Sequence, residues 1–411
     1  MPEPSFPALR HPGFRAYFLV SALAMMADSV EHVISYWIMF QKFHSPALGG
    51  FAMLSHWLPF LFFSVYAGAL AERFDPRRLI QAGMALFMLA SAAWGVLFLT
   101  DRIEMWHAAA ILVVHGFAGV LWSPASQLLI HDIVPESELH SAIRLNATAR
   151  FLGLLVGPAA GAGVMIVFGP AWGLLLNVLF YLPLVLWCAF STIRRHRVGR
   201  RALRGLADIV QTMKDAAGNR IVLAMCLLSA GAGIFIGTGY QAQMPEFAQD
   251  LGHGDPGAAY SALLGADAAG ALTAGLVLEA RGLLRADPRT AFVLAMLWCC
   301  ALAGFAASRS YELALALLFL AGFLELSFNA MGQTLVQIHA PAAVRGRVIG
   351  LYSMAALGMR AFSGVSIGFA GSLIGIHWSL ALSAIALLAL TFALHGFTLK
   401  AHGTRVAGPG P

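Results

Sequence analysis

Apolar runs separated by short polar segments set the pattern of this chain. Twelve of them reach the roughly 20 residues that a helix needs to cross the hydrocarbon core of a bilayer. They are 15–40, 48–71, 79–100, 106–131, 139–168, 170–192, 220–246, 257–281, 289–308, 311–338, 345–375 and 376–399, the fifth and eleventh including a cytoplasmic extension. Membrane-barrel strands would be about 10 residues of alternating polarity. These runs are continuous and rich in Leu, Ala and Gly, so the pattern predicts an all-α membrane protein. The start, MPEPSFPALRHPGFRAYF, leads into an apolar stretch longer than a signal h-region, interrupted by Asp28 and Glu31 and lacking a small-x-small cleavage site. It reads as a retained first helix.

Composition agrees. Of 411 residues 59% are hydrophobic and only 11% charged, with a mean hydropathy of +0.75, whereas a soluble protein needs about 25% charged residues to face water. The apolar content excludes disorder. Four cysteines, Cys188, Cys226, Cys299 and Cys300, all in apolar runs, read as buried thiols rather than a disulfide framework.

The net charge of +6 is explained by topology rather than by nucleic acid. With the N-terminus inside, the outer loops hold only Lys42, Arg102 and Arg309, and Arg360 lies within a helix. Nearly all other Lys and Arg then fall on one side, which predicts both termini in the cytoplasm. The basic linker IRRHRVGRRALR is expected to lie against anionic headgroups. Leu203, Leu206, Val210 and Met213, near helical spacing, predict a short interfacial helix over 203–217. The expected organisation is an N-terminal six-helix bundle over 1–192, a basic linker over 193–218 and a C-terminal six-helix bundle over 219–411.

An internal repeat supports that division. QLLIHDIVP at 127–135 and QTLVQIHAP at 333–341 match at a displacement of 206 residues, and GALAE at 68–72 and GLVLE at 275–279 at 207. A finer period lies inside each half: helices 3, 6, 9 and 12 carry no charge in their apolar cores, while Asp28, Glu31, Asp267, Glu325 and Arg360 fall on helices 1, 8, 10 and 11. Ionisable groups are costly in lipid and face a bundle interior. The third helix of each triplet is therefore expected to pack outside and the first two to line a pathway, the logic of alternating-access transporters.

Two motifs carry a family resemblance. GALAERFDPRRLI after helix 2, containing Gly68, Glu72, Arg73, Arg77 and Arg78, resembles the major facilitator superfamily signature, with Glu72 in place of Asp and Asp75-Pro76 in place of a Gly-centred turn. GLLVGPAAGA at 153–162, containing Gly153, Gly157, Pro158 and Gly161, is similar to the antiporter motif with its last Gly changed to Ala. DIVPESELHSAIRLNATARFLGLLVGPAAG and QTLVQIHAPAAVRGRVIGLYSM look like segments of the transmembrane secretion effectors, the branch with enterobactin-exporter-like and macrolide-efflux-like proteins. The resemblance implies the major facilitator fold, twelve helices in two pseudo-symmetric six-helix bundles. It also implies a cytoplasmic charge latch at Glu72 and an acidic transport position at Asp28. Read physically, the loop's Arg residues also satisfy topology alone. The three glycines, four residues apart, permit close helix approach, and Pro158 loosens the backbone.

Asp28, Glu31 and His32 share one face of helix 1, at a depth expected near mid-membrane, where an acid held out of water suits proton carriage. In the second half Asp267, Glu325 and Arg360 read equally as an ion-pair network or a substrate clamp. His56 and His115 are cavity candidates or histidines bonded to backbone carbonyls. Tyr240, Gln241, Gln243 and Asn329 line a route or serve helix packing. No H-E-x-x-H, G-x-S-x-G, phosphate loop or strongly spaced metal-ligand pair occurs, so neither an enzyme, an ATP-driven pump nor a cofactor is expected, and no metal site is assigned.

The expected function is a secondary active transporter, a proton-coupled antiporter exporting a small amphipathic molecule, siderophore or drug. The expected setting is a bacterial inner membrane, as a monomer, with protons, substrate and lipid as partners. A divalent metal exporter using His32, Asp28 and Glu31, and a non-transporting sensor or scaffold, are the alternatives.

Overall fold

The computed structural model describes residues 6–43, 46–193, 206–252, 256–281, 284 and 286–406. In lipid every backbone N–H and C=O must be satisfied within the protein, and the apolar runs accordingly form helices. They are α1 (Pro12–Phe43), α2 (Pro46–Arg73), α3 (Pro76–Leu99), α4 (Met105–Ile133), α5 (Leu139–Phe190), α6 (Leu206–Gly218), α7 (Arg220–Phe235), α8 (Gly239–Ala242), α9 (Met244–Asp250), α10 (Pro256–Ala280), α11 (Pro288–Ala307), α12 (Tyr311–His339), α13 (Arg345–Ala356), α14 (Ala370–Ile374) and α15 (Ile376–Val406). Polar residues in the connections stop and start them. Asp75 caps α3 by accepting from the Arg77 N–H at 3.0 Å, and Asn219 caps α7 by accepting from the N–H groups of Ile221 and Val222.

Among the described residues eleven helical runs are long and apolar enough to cross a membrane. The difference from the twelve expected falls at one glycine. α5 extends over 52 residues, which straight would be about 78 Å. Gly169 interrupts it at φ 77°, ψ 165°, and Pro170 follows without a donor N–H, at the point where the sequence pattern divides 139–168 from 170–192.

Packing separates the chain into two compact units. One holds the described residues up to Ile193 together with 345–353, and the other holds those of 206–344 and 354–406. Helix pairing repeats between them: α2 packs on α4, and α3 on both α4 and α5; α10 packs on α12, and α11 on both α12 and α15. Apolar side chains such as Ile166, Phe190 and Trp378 remain exposed on the outside, as a lipid-facing surface requires.

Two expected helices are broken. The run over 220–246 ends as α7 at Phe235, turns at Gly237 with φ 48°, and resumes as α8 and α9. The run over 345–375 is α13, a 3-10 turn at Gly358–Phe362, a π turn at Gly364–Phe369 and α14. The two irregular stretches pack together. A Cβ on Gly237 would lie 2.5 Å from that of Ser363, and the Ser366 hydroxyl donates to the Ile234 carbonyl. Small residues and hydroxyls satisfy the freed backbone where protein, not lipid, surrounds it. Of the expected interfacial helix, 203–205 lies outside the described residues, as does the basic linker over 194–204. Within α6, Val210 and Met213 are exposed while Thr212 and Ala216 are buried.

Candidate functional site

The first unit is layered. One buried apolar cluster takes Tyr17 and Ala27 of α1, Met84 and Phe87 of α3, Ala118 and Ile130 of α4, and Tyr181 of α5. A second takes Val30 and Ile34, Ala90 and Trp94, Ile111 and Leu112, and Leu174 of the same four helices. At the junction on every helix stands a polar residue: Asp28 and Glu31, Ser91, His115, and Asn177. A polar layer thus lies between the two apolar clusters.

His115, with a side chain 5% exposed, bridges the two acids. Its Nδ1 lies 2.8 Å from Glu31 Oε1 and its Nε2 lies 3.1 Å from Asp28 Oδ1. The other Glu31 oxygen accepts from the Ser91 hydroxyl, and Asn177 Nδ2 donates to Ser91 Oγ at 3.1 Å and to the Ala27 carbonyl at 2.9 Å. Glu31, 2% exposed, therefore has partners on both oxygens. His32 turns its Nδ1 to the Asp28 carbonyl at 2.8 Å, and its ring stands 5.0 Å from that of His56 and 4.7 Å from that of His115. The α1 triad named from sequence and both histidine candidates, from α2 and α4, meet here.

The antiporter-like glycines hold α1 in place. Added Cβ atoms on Gly153, Gly157 and Gly161 would stand 2.6, 2.2 and 3.2 Å from those of Met25, Ser29 and Val33, so α5 meets α1 along the two turns that carry Asp28 and Glu31. Pro158 is exposed.

At the α2–α3 connection, Glu72 binds Arg347. Its two carboxylate oxygens accept from the Arg347 backbone N–H at 2.8 Å and from Nε at 3.0 Å, with both side chains largely buried. The helices touch through glycine: a Cβ on Gly68 would stand 2.0 Å from the Gly346 carbonyl oxygen, and one on Gly350 2.3 Å from that of Ser64. Arg77 forks onto Asp75, with Nη2 2.7 Å from Oδ2, and donates to the Ser191 carbonyl. Arg73 lies over the Phe74 ring, and Arg78 is exposed.

In the second unit Arg360 and Asp267 have different partners. Arg360 Nη2 lies 3.6 Å from Glu325 Oε1, and its Nε donates to the Ala356 carbonyl. Asp267 instead accepts from the Tyr240 hydroxyl at 3.1 Å and Gln241 Nε2 at 3.3 Å. The break after α7 brings Tyr240 and Gln241 to that acid. Glu325, Asn329 and Arg360 line a small cavity with Ser229 and Trp298. Gln243 is half-buried at the start of α9, beyond those groups.

Sequence reasoning missed Ser91, Asn177 and Arg347. The first two add to the charge-free character expected of helices 3 and 6, since both send a neutral donor to the acid layer. Counting charges overlooks hydroxyls and amides, which satisfy a buried carboxylate as well as a cation does.

A family model for transmembrane secretion effectors matches residues 3–407. The Staphyloferrin A transporter of Staphylococcus aureus (strain NCTC 8325 / PS 47) is 21% identical over 173 residues, 42% of this chain and 44% of that protein. The Na(+), Li(+), K(+)/H(+) antiporter of Planococcus maritimus is 32% identical over 122 residues, 28% of this chain and 27% of that protein. The matched stretches span less than half the length of these relatives. Among solved structures, the E. coli fucose:proton symporter FucP superposes with a TM-score of 0.73 at 13% identity, covering 93% of this chain and 98% of that one. The human organic anion transporter MFSD10 does so with 0.72 at 15% identity, covering 94% and 99%. These proteins share the fold of this chain.

Proposed function

Because the chain belongs to the transmembrane secretion effectors of the major facilitator superfamily, we propose that it is a secondary active transporter that exports a small amphipathic molecule in exchange for protons. The observation that carries the reading is the buried layer in which His115 stands between Asp28 and Glu31. Ionisable groups inside a membrane unit are costly and mark solute or proton routes. Glu31 is fully bonded from behind by Ser91 and His115, while Asp28 takes the less aligned contact and is the more available carboxylate. Exchange requires that substrate and proton compete, directly or through the conformational equilibrium, because a ligand shifts states only by its differential affinity.

Asp28→Asn should abolish pH-gradient-driven export in proteoliposomes while leaving substrate counterflow. Full uphill transport in that variant would move the coupling site to Asp267 or Glu325. The charge bias supports an orientation with both termini on the inner side of a bacterial inner membrane. Single cysteines placed in 194–204 should label only from the cytoplasm, and labelling in intact cells by an impermeant reagent would reverse that orientation.

A further inference from the structure

We infer that the first unit binds one divalent first-row transition metal ion, such as Zn²⁺, through His32, His56 and His115, with Asp28 as the fourth donor. One ligand nitrogen from each histidine lies within 4.8 Å of the others, and the three come from three different helices. Hydrogen bonding orients two of these rings. The His32 Nδ1 partner is a backbone carbonyl, which only accepts, so Nδ1 carries the proton and the neutral ring presents Nε2 as a lone pair. The His115 Nδ1 partner is the Glu31 carboxylate, which in turn leaves Nε2 as the lone pair. That arrangement, an imidazole held from behind by a carboxylate, fixes tautomer and ring direction in metal sites.

The unpaired atoms point the same way. Asp28 Oδ1, His115 Nε2 and His56 Nδ1 are buried, and none has a hydrogen-bond partner. Asp28 Oδ1 and His115 Nε2 face each other at 3.1 Å without hydrogen-bond alignment. A proton on Nε2, or a metal ion beside both atoms, removes the repulsion between two acceptors at that distance. Donors about 2.0–2.1 Å from a tetrahedral ion stand about 3.3 Å apart, close to this separation. His32 and His56 are half-buried and need only side-chain rotation to close on the same point. Imidazole and carboxylate donors suit Zn²⁺, Co²⁺ or Ni²⁺, and the set contains no thiolate or thioether to favour Cu⁺.

The experiment uses tag-free full-length protein in detergent, titrated with Co²⁺ and followed by its visible ligand-field bands, with Zn²⁺ stoichiometry measured by equilibrium dialysis. One ion per chain is expected. His56→Gln should abolish the bands, His56→Asp, which retains a donor, should keep a bound ion with shifted bands, and Glu31→Gln should weaken binding by roughly 10–100-fold. The His56→Asp result separates loss of a ligand from loss of fold. Absence of bands and of bound Zn²⁺ in the unmodified chain overturns the inference, as do unchanged bands in His32→Gln, His56→Gln and His115→Gln alike. Metal binding is read without transport, so its failure leaves the exchange reading standing, and uphill transport by Asp28→Asn would move the coupling site to Asp267 or Glu325 without bearing on metal binding.

Discussion

The two units build the same helix pairing around buried acids of different kinds. In the first, Asp28 and Glu31 face an imidazole, on helices that run unbroken through the layer. In the second, Glu325 faces a guanidinium, and Asp267 is met by Tyr240 and Gln241 from a broken helix. An imidazole can give up its proton, and a guanidinium does not. The first unit therefore holds a charge balance that can change with a proton or a metal ion, and the second one that is permanent. One helix pairing serves both units, and partner chemistry divides their acids.

The sharpest way to break this comparison is to remove the cation from each side. Arg360→Met leaves Glu325 buried beside an apolar side chain and should destabilise the protein by about 3–5 kcal/mol, with Glu325→Gln added to it recovering most of the loss. His115→Gln should cost less, because the Gln amide can still donate to one of the acids and Glu31 keeps the Ser91 hydroxyl. Thermal unfolding of the purified variants decides it, and equal losses would mean that the imidazole is as permanent a partner as the guanidinium.

A second contrast separates charge from shape at the Glu72 contact. Glu72→Gln keeps one hydrogen bond to Arg347 but loses the charge, a change of about 1.5–3 kcal/mol. Residues 345–353 should then open more often, and thiol labelling of a buried Ser353→Cys probe, with exposed Cys300 replaced, should quicken by roughly tenfold or more. An unchanged rate would return the loop to a topological role.

The smallest effect concerns glycine contacts, which both units use beside their acids. Gly157 meets Ser29 next to Asp28, and Gly322 meets the Asp267 carbonyl, where an added Cβ would stand 1.9 Å away. Gly157→Ala should cost about 1–3 kcal/mol in thermal unfolding. Gly163→Ala, with nothing within 4 Å, should cost nothing. Equal behaviour would show that α1 is free to shift from α5.

Much of this was legible in sequence because lipid simplifies the code. A helix must be apolar for about 20 residues, and a charge inside it stands out, as Asp28, Glu31, Glu325 and Arg360 do. Local spacing also placed Gly153, Gly157 and Gly161 on one stripe. Partners on other helices were not legible. Nothing near Glu72 in sequence names Arg347, 275 residues away, and nothing about Ser91 or Asn177 distinguishes them from other polar residues in apolar runs. The breaks at Gly237 and Gly358–Phe362 were hidden because hydropathy stays high through them, while backbone geometry there depends on the opposing Ser363 and Ser366.

The polar layer also has a consequence for biosynthesis. α1 leaves the ribosome carrying two acids whose bridging histidine lies 84 residues behind Glu31, and whose amide support from Asn177 comes later still. At about 5–20 residues per second that histidine follows several seconds later. An acid at a helix centre costs about 2.5–3.5 kcal/mol to hand to lipid. Membrane integration of the first helix is therefore poised to wait at the insertion machinery until α4 emerges, so that the opening segment of the chain is sealed into the bilayer with the fourth helix rather than ahead of it.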